Sequence, residues 1–437
     1  MSPAAYPGWL EPFINLQRSL VSEGFDRTLA AIELQAGPEF TRHAFPCGSA
    51  AFTWFVPPRW VVRDARITAD GVTLVDAADH PLHLVTHSMA FSGRVSRDEL
   101  LEHLHTDPAR PDDIPYVYRF YTPRWGFCVP HASLDRFTAA HYDVVVDTEL
   151  QPDGSLTVGE LTLPGRSNRT IVLSAHLDHP GQFEDGLCGV VALLELIRRR
   201  RAAAAPFFTL TFLFTCETLG ALCYLSRFEQ QVRATVEGCI APEALCSDNR
   251  LAFGRSFAGD TQLDRAAGCV FRRRFGNGDG LPFAGLLSND DQVFDGPGFL
   301  IPSLSIARSP YPEYHTSRDN LSLFDATRFD ESCAVIQEIL DLLDRNVAPR
   351  PLYQSIPFFT RFGLWQDWFG DVEHRRSLER LLRLLDGRHS VIDLAHLSGL
   401  PIDLTEDLLR KMAAAGLASL DGDPVPIAPA AFAAAPV

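Results

Sequence analysis

Between residues 141 and 310, short and nearly continuous apolar runs alternate with longer stretches in which apolar positions recur every three or four residues. YDVVVDTEL (142–150), TIVLSAH (170–176), FFTLTFLFT (207–215), ATVEGCIA (234–241) and IPSLSIAR (301–308) have the length and β-branched or aromatic content of buried strands. GVVALLELIRRRR (189–201) and LGALCYLSRFEQQV (219–232) have helical spacing. Apolar strands separated by amphipathic helices predict an α/β fold. Its mostly parallel, mixed sheet is covered by helices on both faces. Residues 10–36 read as an opening helix and 325–345 as a closing one.

Two segments break this rhythm. From 41 to 140 the pattern becomes short, alternating and punctuated by Pro and Gly, as in FTWFVPPRWVVRDARITADGVTLVDAADHPLHLV, and predicts a β-rich insertion. Within it, the aromatic-dense YRFYTPRWGFCVPH (118–131) reads as a packed corner. From about 370 to 427 the order is helix, helix, helix and a small hairpin around LDGD, a winged-helix pattern. The expected division is a catalytic domain of residues 1–40 and 141–350, an inserted domain of 41–140 and a winged-helix-like domain of 370–427. The terminal APAAFAAAPV reads as a frayed tail.

Composition narrows the partners. The chain has 437 residues, 46% of them hydrophobic, and a formal net charge of −16. Phosphate binding needs a basic surface, so neither nucleic acid nor an anionic membrane is expected as a partner. The third tail helix carries Asp403, Glu406 and Asp407 against Arg410 and Lys411, which favours packing or homo-oligomer formation over DNA reading. Nine scattered cysteines, the absence of a leader-like N-terminus and the lack of a long apolar span predict a cytoplasmic protein with reduced thiols.

The chemistry collects just past predicted strand ends, where open α/β sheets place their ligands. His176 and Asp178 follow TIVLSA, and Asp185 opens the next helix. Glu217 follows FFTLTFLFTC, and His315 follows IPSLSIARSPYPEY. In this set His176 can ligate a metal while Asp178 orients it. Asp185 offers a carboxylate to a hard or borderline cation, and Glu217 is placed as general base for water that a metal activates.

SAHLDHP…EDGLCGVVALLEL, CETLGALCYL and YPEYHTSRDNL resemble the leucyl-aminopeptidase-like zinc peptidase superfamily, which includes glutaminyl cyclases and glutamate carboxypeptidase. Trp54 to Trp60 (W-x-V-P-P-x-W) and RWGFC (124–128) resemble a narrower bacterial aminopeptidase-like family with a β-rich insertion and a C-terminal winged helix. The resemblance implies that His176, Asp185 and His315 ligate metal, with Asp185 bridging, and that Glu217 is the acid/base with Asp178 in support. It also implies a role for Asp290 or Asp291 of SNDDQVFDGPG, holding a substrate amine or the catalytic glutamate. The chain departs from the two-metal pattern in two places. Glu217-Thr218 replaces a Glu-Glu pair, and Ala241-Pro242-Glu243 stands where an aspartate ligand is usual. Glu243 and His179 are the available substitutes, and one zinc per chain is expected rather than two. Cys188 and Cys216 read as small apolar fillers.

The expected function is a zinc-dependent amide or peptide hydrolase acting on a small peptide or amide substrate with a free amine. The alternatives are a biosynthetic amidase or cyclase on a modified peptide or sugar intermediate, and a non-catalytic binding protein with a degraded metal site.

Overall fold

The computed structural model describes residues 8–364 and 372–428. Its strands longer than two residues, in chain order, are β1 (Thr41–Pro46), β2 (Arg59–Ala69), β3 (Val72–Asp76), β4 (Phe91–Ser96), β5 (His141–Gln151), β6 (Ser155–Leu163), β7 (Thr170–His176), β8 (Thr209–Thr215), β9 (Val236–Pro242), β10 (Arg250–Gly254) and β11 (Ser303–Ser309). Seven of them form one mixed sheet in the order β1-β6-β8-β7-β9-β11-β10. The four central strands β8, β7, β9 and β11 are parallel, and the outer ones are antiparallel. Every residue of β7 is buried, so both faces of the sheet are covered and an unbroken apolar run is what that position demands. The major helices are α1 (Glu23–Ala36), α2 (Leu187–Arg201), α3 (Leu219–Thr235), α4 (Gln262–Phe275), α5 (Asp290–Phe294) and α6 (Ala326–Asp344). Among the described residues, no helix is long and apolar enough to cross a membrane.

The opening helix is not continuous. A short turn at Glu11–Ile14 is followed by non-helical chain, and α1 begins only at Glu23, capped by the Ser22 hydroxyl. The reason is Arg18. Its guanidinium is fully buried and donates to the carbonyls of Ile14, Leu177, His179 and Gln182, a geometry that a helix through this point would forbid.

The inserted sheet has the order β3-β2-β5-β4. It encloses its own core of Trp60, Ile67, Val95, Trp125, Phe127 and Val144. β1, on the inserted side of the boundary expected at residue 41, belongs to the central sheet, whereas β5, on the catalytic side of 141, is a central strand of the small sheet. The aromatic stretch divides. Trp125 and Phe127 pack inward as expected, but Tyr118 and Tyr121 stay exposed.

The tail forms α7 (Val372–Leu384), α8 (Val391–Ser398) and α9 (Ile402–Ala414). The hairpin expected around LDGD does not form. Instead β13 (Ala418–Ser419) pairs with β12 (Arg350–Pro351), which precedes the helices. Pro424 and Pro426 cannot donate to a return ladder. The chain beyond runs back onto the catalytic domain, where Val425 N–H donates to the Asn346 carbonyl and Ile427 N–H to Glu237. Residues of the tail share one hydrophobic core with the catalytic domain. The expected frayed tail beyond Ala428 lies outside the described residues.

Ile427 is buried against Gly238 of β9. Replacing it with Ala should cost about 2–4 kcal/mol of global stability, the usual loss for a buried Ile. Denaturant unfolding of the full chain measures this. An unchanged main transition would mean that the tail folds independently of the sheet.

Candidate metal centre

All four central parallel strands deliver a site residue from their carboxyl ends. β7 ends at His176 and runs into the loop carrying Asp178, His179 and Asp185. β8 is followed by Glu217, β9 by Glu243, and β11 by the loop that reaches His315. Three of these exits are sharp enough to put a residue with a Cβ into the left-handed region: Thr218 (φ 60°), Ala244 (φ 46°) and His315 (φ 56°). Such conformations cost about 1–3 kcal/mol each and persist only where their surroundings hold them. Glycine is needed at 186. It has φ 101°, and a Cβ there would lie 2.9 Å from the His176 carbonyl and 3.0 Å from its ring.

Asp185 is the hub. Its Oδ1 lies 3.4 Å from His176 Nε2 and 2.8 Å from His179 Nδ1, and its Oδ2 lies 3.2 Å from His315 Nε2. Ligand atoms of His176, His179 and Asp185 fall within 4.8 Å of one another. Glu243 Oε1 is 3.0 Å from His176 Nε2, and its Oε2 accepts from Asn289 Nδ2 at 2.8 Å. Glu217 Oε2 is 3.1 Å from His179 Nε2, and with a side chain 34% exposed it is the accessible carboxylate of the group.

The electrostatics follow from crowding. Burial alone would lower both His176 and His179. Asp178 and Glu243 push His176 well above its ordinary value, and Asp185 and Glu217 push His179 up to about 10. His179 and His315 hold Asp185 well below the usual carboxylate range despite its burial. Glu243, buried beside the Asp185 charge, is pushed up to about 8.

A second layer fixes the loops. Asp178 Oδ1 accepts from Glu217 N–H at 2.8 Å and lies 3.3 Å from His176 Nδ1. Asp319 accepts from the N–H groups of Phe183, Glu184 and Asp185, tying the His315 loop to the Asp185 loop. Arg18 holds the intervening carbonyls from below, and burial lowers its pKa to about 10. Asp290 accepts from Ser174 Oγ and from Thr218 N–H. Asp291 accepts from Ser288 Oγ and Asn289 N–H. Both aspartates are buried, and each of their oxygens accepts a hydrogen bond from inside the fold. Asp290 secures the turn that carries Glu217.

The structure thus gathers His176, Asp178, Asp185, Glu217 and His315, and it brings in both proposed substitutes, His179 and Glu243. Cys188 and Cys216 are fully buried. Cys188 Sγ contacts Cys246 Sγ at 2.7 Å, beside Glu184. Arg18 and Asp319 escaped the sequence reading. Asp319 stands in the quoted YPEYHTSRDNL, while Arg18 sits in a segment whose apolar spacing reads as helix.

A cleft of about 490 Å³ opens beside Thr218, walled by Phe52, Trp54, Leu222 and Phe299, with Ser288, Asn289 and Gln292 at its polar side. Asn289 touches both this cleft and Glu243.

Comparison with known proteins gives a consistent picture. Residues 8–346 match the family model of a domain of unknown function, DUF4910. A protein of Clostridium acetobutylicum, provisionally named a polysaccharide biosynthesis protein with aminopeptidase-like domain, is 28% identical over 405 residues, 90% of each chain. The crystal structure of a provisionally named peptidase from that organism superposes with a TM-score of 0.81 at 25% identity, over 94% of each chain. A zinc aminopeptidase from Bacillus subtilis matches at TM-score 0.54 and 11% identity, over 74% of this chain and 90% of that one. A peptidase M28 precursor from Shewanella amazonensis matches at 0.52 and 12%, over 75% and 90%. The fold is the aminopeptidase-like peptidase fold that the motifs implied.

Replacing Arg18 with Met would leave four buried carbonyls without a charged donor. Unpaired buried polar groups cost about 1–3 kcal/mol each when they cannot rehydrate. A loss of roughly 3 kcal/mol or more is expected in chemical denaturation, and a loss below about 1 kcal/mol would contradict the bracing role.

Proposed function

The chain belongs to the DUF4910 family, and from that membership and its peptidase-like fold we propose that it is a zinc-dependent hydrolase of amide or peptide bonds, acting on a small substrate with a free amine. One observation carries the metal. Asp185 Oδ2, His179 Nδ1 and His315 Nε2 are buried without a hydrogen-bond partner of good geometry, yet both imidazoles face the Asp185 carboxylate, His179 Nδ1 at 2.8 Å from Oδ1 and His315 Nε2 at 3.2 Å from Oδ2. Buried polar atoms are normally satisfied. Imidazole nitrogens facing a carboxylate suit a borderline cation, zinc above all. His176, Asp185 and His315 are the proposed ligands, and His179 joins them. One ion per chain fits this set, since Thr218 supplies no carboxylate where a second glutamate would stand.

When bound, zinc polarises a substrate carbonyl and makes water a nucleophile at neutral pH. The chain's own residues do the rest. Glu217 is the accessible carboxylate of the group, next in sequence to Thr218 of the cleft. It takes the proton from the attacking water and returns it to the leaving nitrogen. Asp178 holds Glu217 through its backbone N–H and steadies the His176 ring. Asp290 pins Thr218, so the strained turn that aims Glu217 cannot relax. A desolvated substrate ammonium needs a paired carboxylate, which Asp290, Asp291 or Glu243 supplies while Glu217 serves as base.

A second reading, a biosynthetic amidase on a modified sugar, draws on the cleft. Exposed aromatic walls and amide side chains suit a body larger than one amino acid, and the Clostridium relative is named for polysaccharide biosynthesis.

Elemental analysis of protein purified without chelator should find about one zinc per chain, and the His176→Ala, His315→Ala double variant should lose it. Persisting stoichiometric zinc would overturn the ligand set. Because His179 is pushed up to about 10 in the metal-free centre, it carries a proton at pH 7.5, and metal binding needs it neutral. Zinc uptake should therefore release protons, measurable by calorimetry in buffers of different ionisation enthalpy.

Glu217→Gln should keep zinc and fold but slow hydrolysis by about 10²-fold or more. N-acetylating the substrate should abolish turnover. Equal rates with and without the acetyl group would retire the free-amine reading and leave the sugar amidase.

A further inference from the structure

We propose that Tyr116, from the inserted domain, is a positioning residue of the metal centre, setting the rings of His179 and His315 against Asp185. The inference rests on the proposed metal reading and adds to it a residue that none of the strand-end loops supplies.

The Tyr116 ring lies 5.0 Å from both the His179 and the His315 ring, and those two rings are 5.5 Å apart. The three rings form one cluster in which the phenol fills the space beside both imidazoles. It is edge-on to His315 at 82° and tilted to His179 at 52°. His315 also stacks on Tyr314 with centroids 3.9 Å apart. His315 thus packs against a ring of its own loop, Tyr314, and against one from the inserted domain, Tyr116.

The backbone repeats the arrangement. Tyr116 N–H donates to the His315 carbonyl at 2.8 Å, and Ser317 N–H donates to the Ile114 carbonyl at 2.9 Å. Ile114 N–H donates to Ser317 Oγ at 3.0 Å, and Pro115 bridges Thr316. Arg110 adds bonds to the carbonyls of Pro312 and Tyr314. A short antiparallel ladder thus grips the loop on both sides of the one ligand whose backbone sits at φ 56°. A non-glycine residue stays in that region only when its neighbours hold it there. Residues 114–117 are held in turn by the inserted domain, through Thr86 N–H to the Val117 carbonyl at 3.0 Å.

Outer partners that orient metal-ligating histidines are typically worth 10–100-fold in metal affinity. The test uses the full chain, Zn²⁺ and a chromophoric chelator in competition, with wild type, Tyr116→Ala and Tyr116→Phe. Tyr116→Ala should weaken zinc affinity by about 10-fold or more and speed its release. Tyr116→Phe keeps the ring and should stay close to wild type. Thermal unfolding with and without zinc separates positioning from packing. A positioning residue shrinks the zinc-dependent rise in midpoint, whereas a purely structural one lowers the metal-free midpoint and leaves the rise intact. If Tyr116→Ala does not fold, Tyr116→Leu, which keeps apolar volume without a ring, should show the same loss. Equal zinc affinity and an equal rise in wild type and both ring-deleted variants would overturn the inference while leaving the metal centre standing. No zinc uptake by wild type would overturn the metal reading and this inference with it.

Discussion

A carboxylate taken out of water stays ionised only if other groups replace what water gave it, and the buried Asp185 is that carboxylate here. His176 and His179 face one of its oxygens and His315 the other, while its backbone N–H is bound by Asp319. Each partner then needs an anchor of its own. His176 leans on Asp178 and Glu243, His179 on Glu217 and, through its carbonyl, on Arg18. Satisfying one buried charge recruits loops from four strands, and the sheet order is what lets them meet.

That order also explains where strain is tolerated. Thr218, Ala244 and His315 turn through the left-handed region immediately after strand ends or within the loop that follows. Each is clamped, Thr218 by Asp290, Ala244 by hydrogen bonds to Glu184 and Arg308, and His315 by the ladder from residues 114–117. Looser loops would relax these turns and swing the side chains away from Asp185. The rigid parallel core pins the loops at their roots, and the inserted domain and the Arg18 segment pin them from outside.

The inserted domain and the tail relate to the catalytic domain differently. The insertion encloses a separate core and meets the centre through a few residues, Tyr116 foremost. The tail shares its core with the sheet, and among its described residues none supplies a side chain to the centre. One reaches the centre, and the other packs against the sheet beneath it.

The α/β class was legible from sequence because burial of parallel strands on both faces leaves an unmistakable apolar run, as in TIVLSAH and FFTLTFLFT. The strand-end residues His176, Asp178, Asp185, Glu217 and His315 were legible for a related reason: chain direction alone puts them at the same edge of a parallel sheet. Tertiary structure decided the rest. Whether His179 and Glu243 join the centre depends on which strands lie next to one another, a contact across 67 residues for His176 and Glu243. Arg18 looked like part of a helix because its apolar neighbours have helical spacing, and only the carbonyls of a loop more than 150 residues away make its burial affordable. The resemblance implied that Asp290 or Asp291 holds a substrate amine or the catalytic glutamate, and only packing showed Asp290 bonded to Ser174 and to Thr218 beside Glu217, and Asp291 to Ser288 and Asn289. Periodicity records how much of each element is buried. It does not record which distant donor meets which acceptor, and in this protein those pairings make the site.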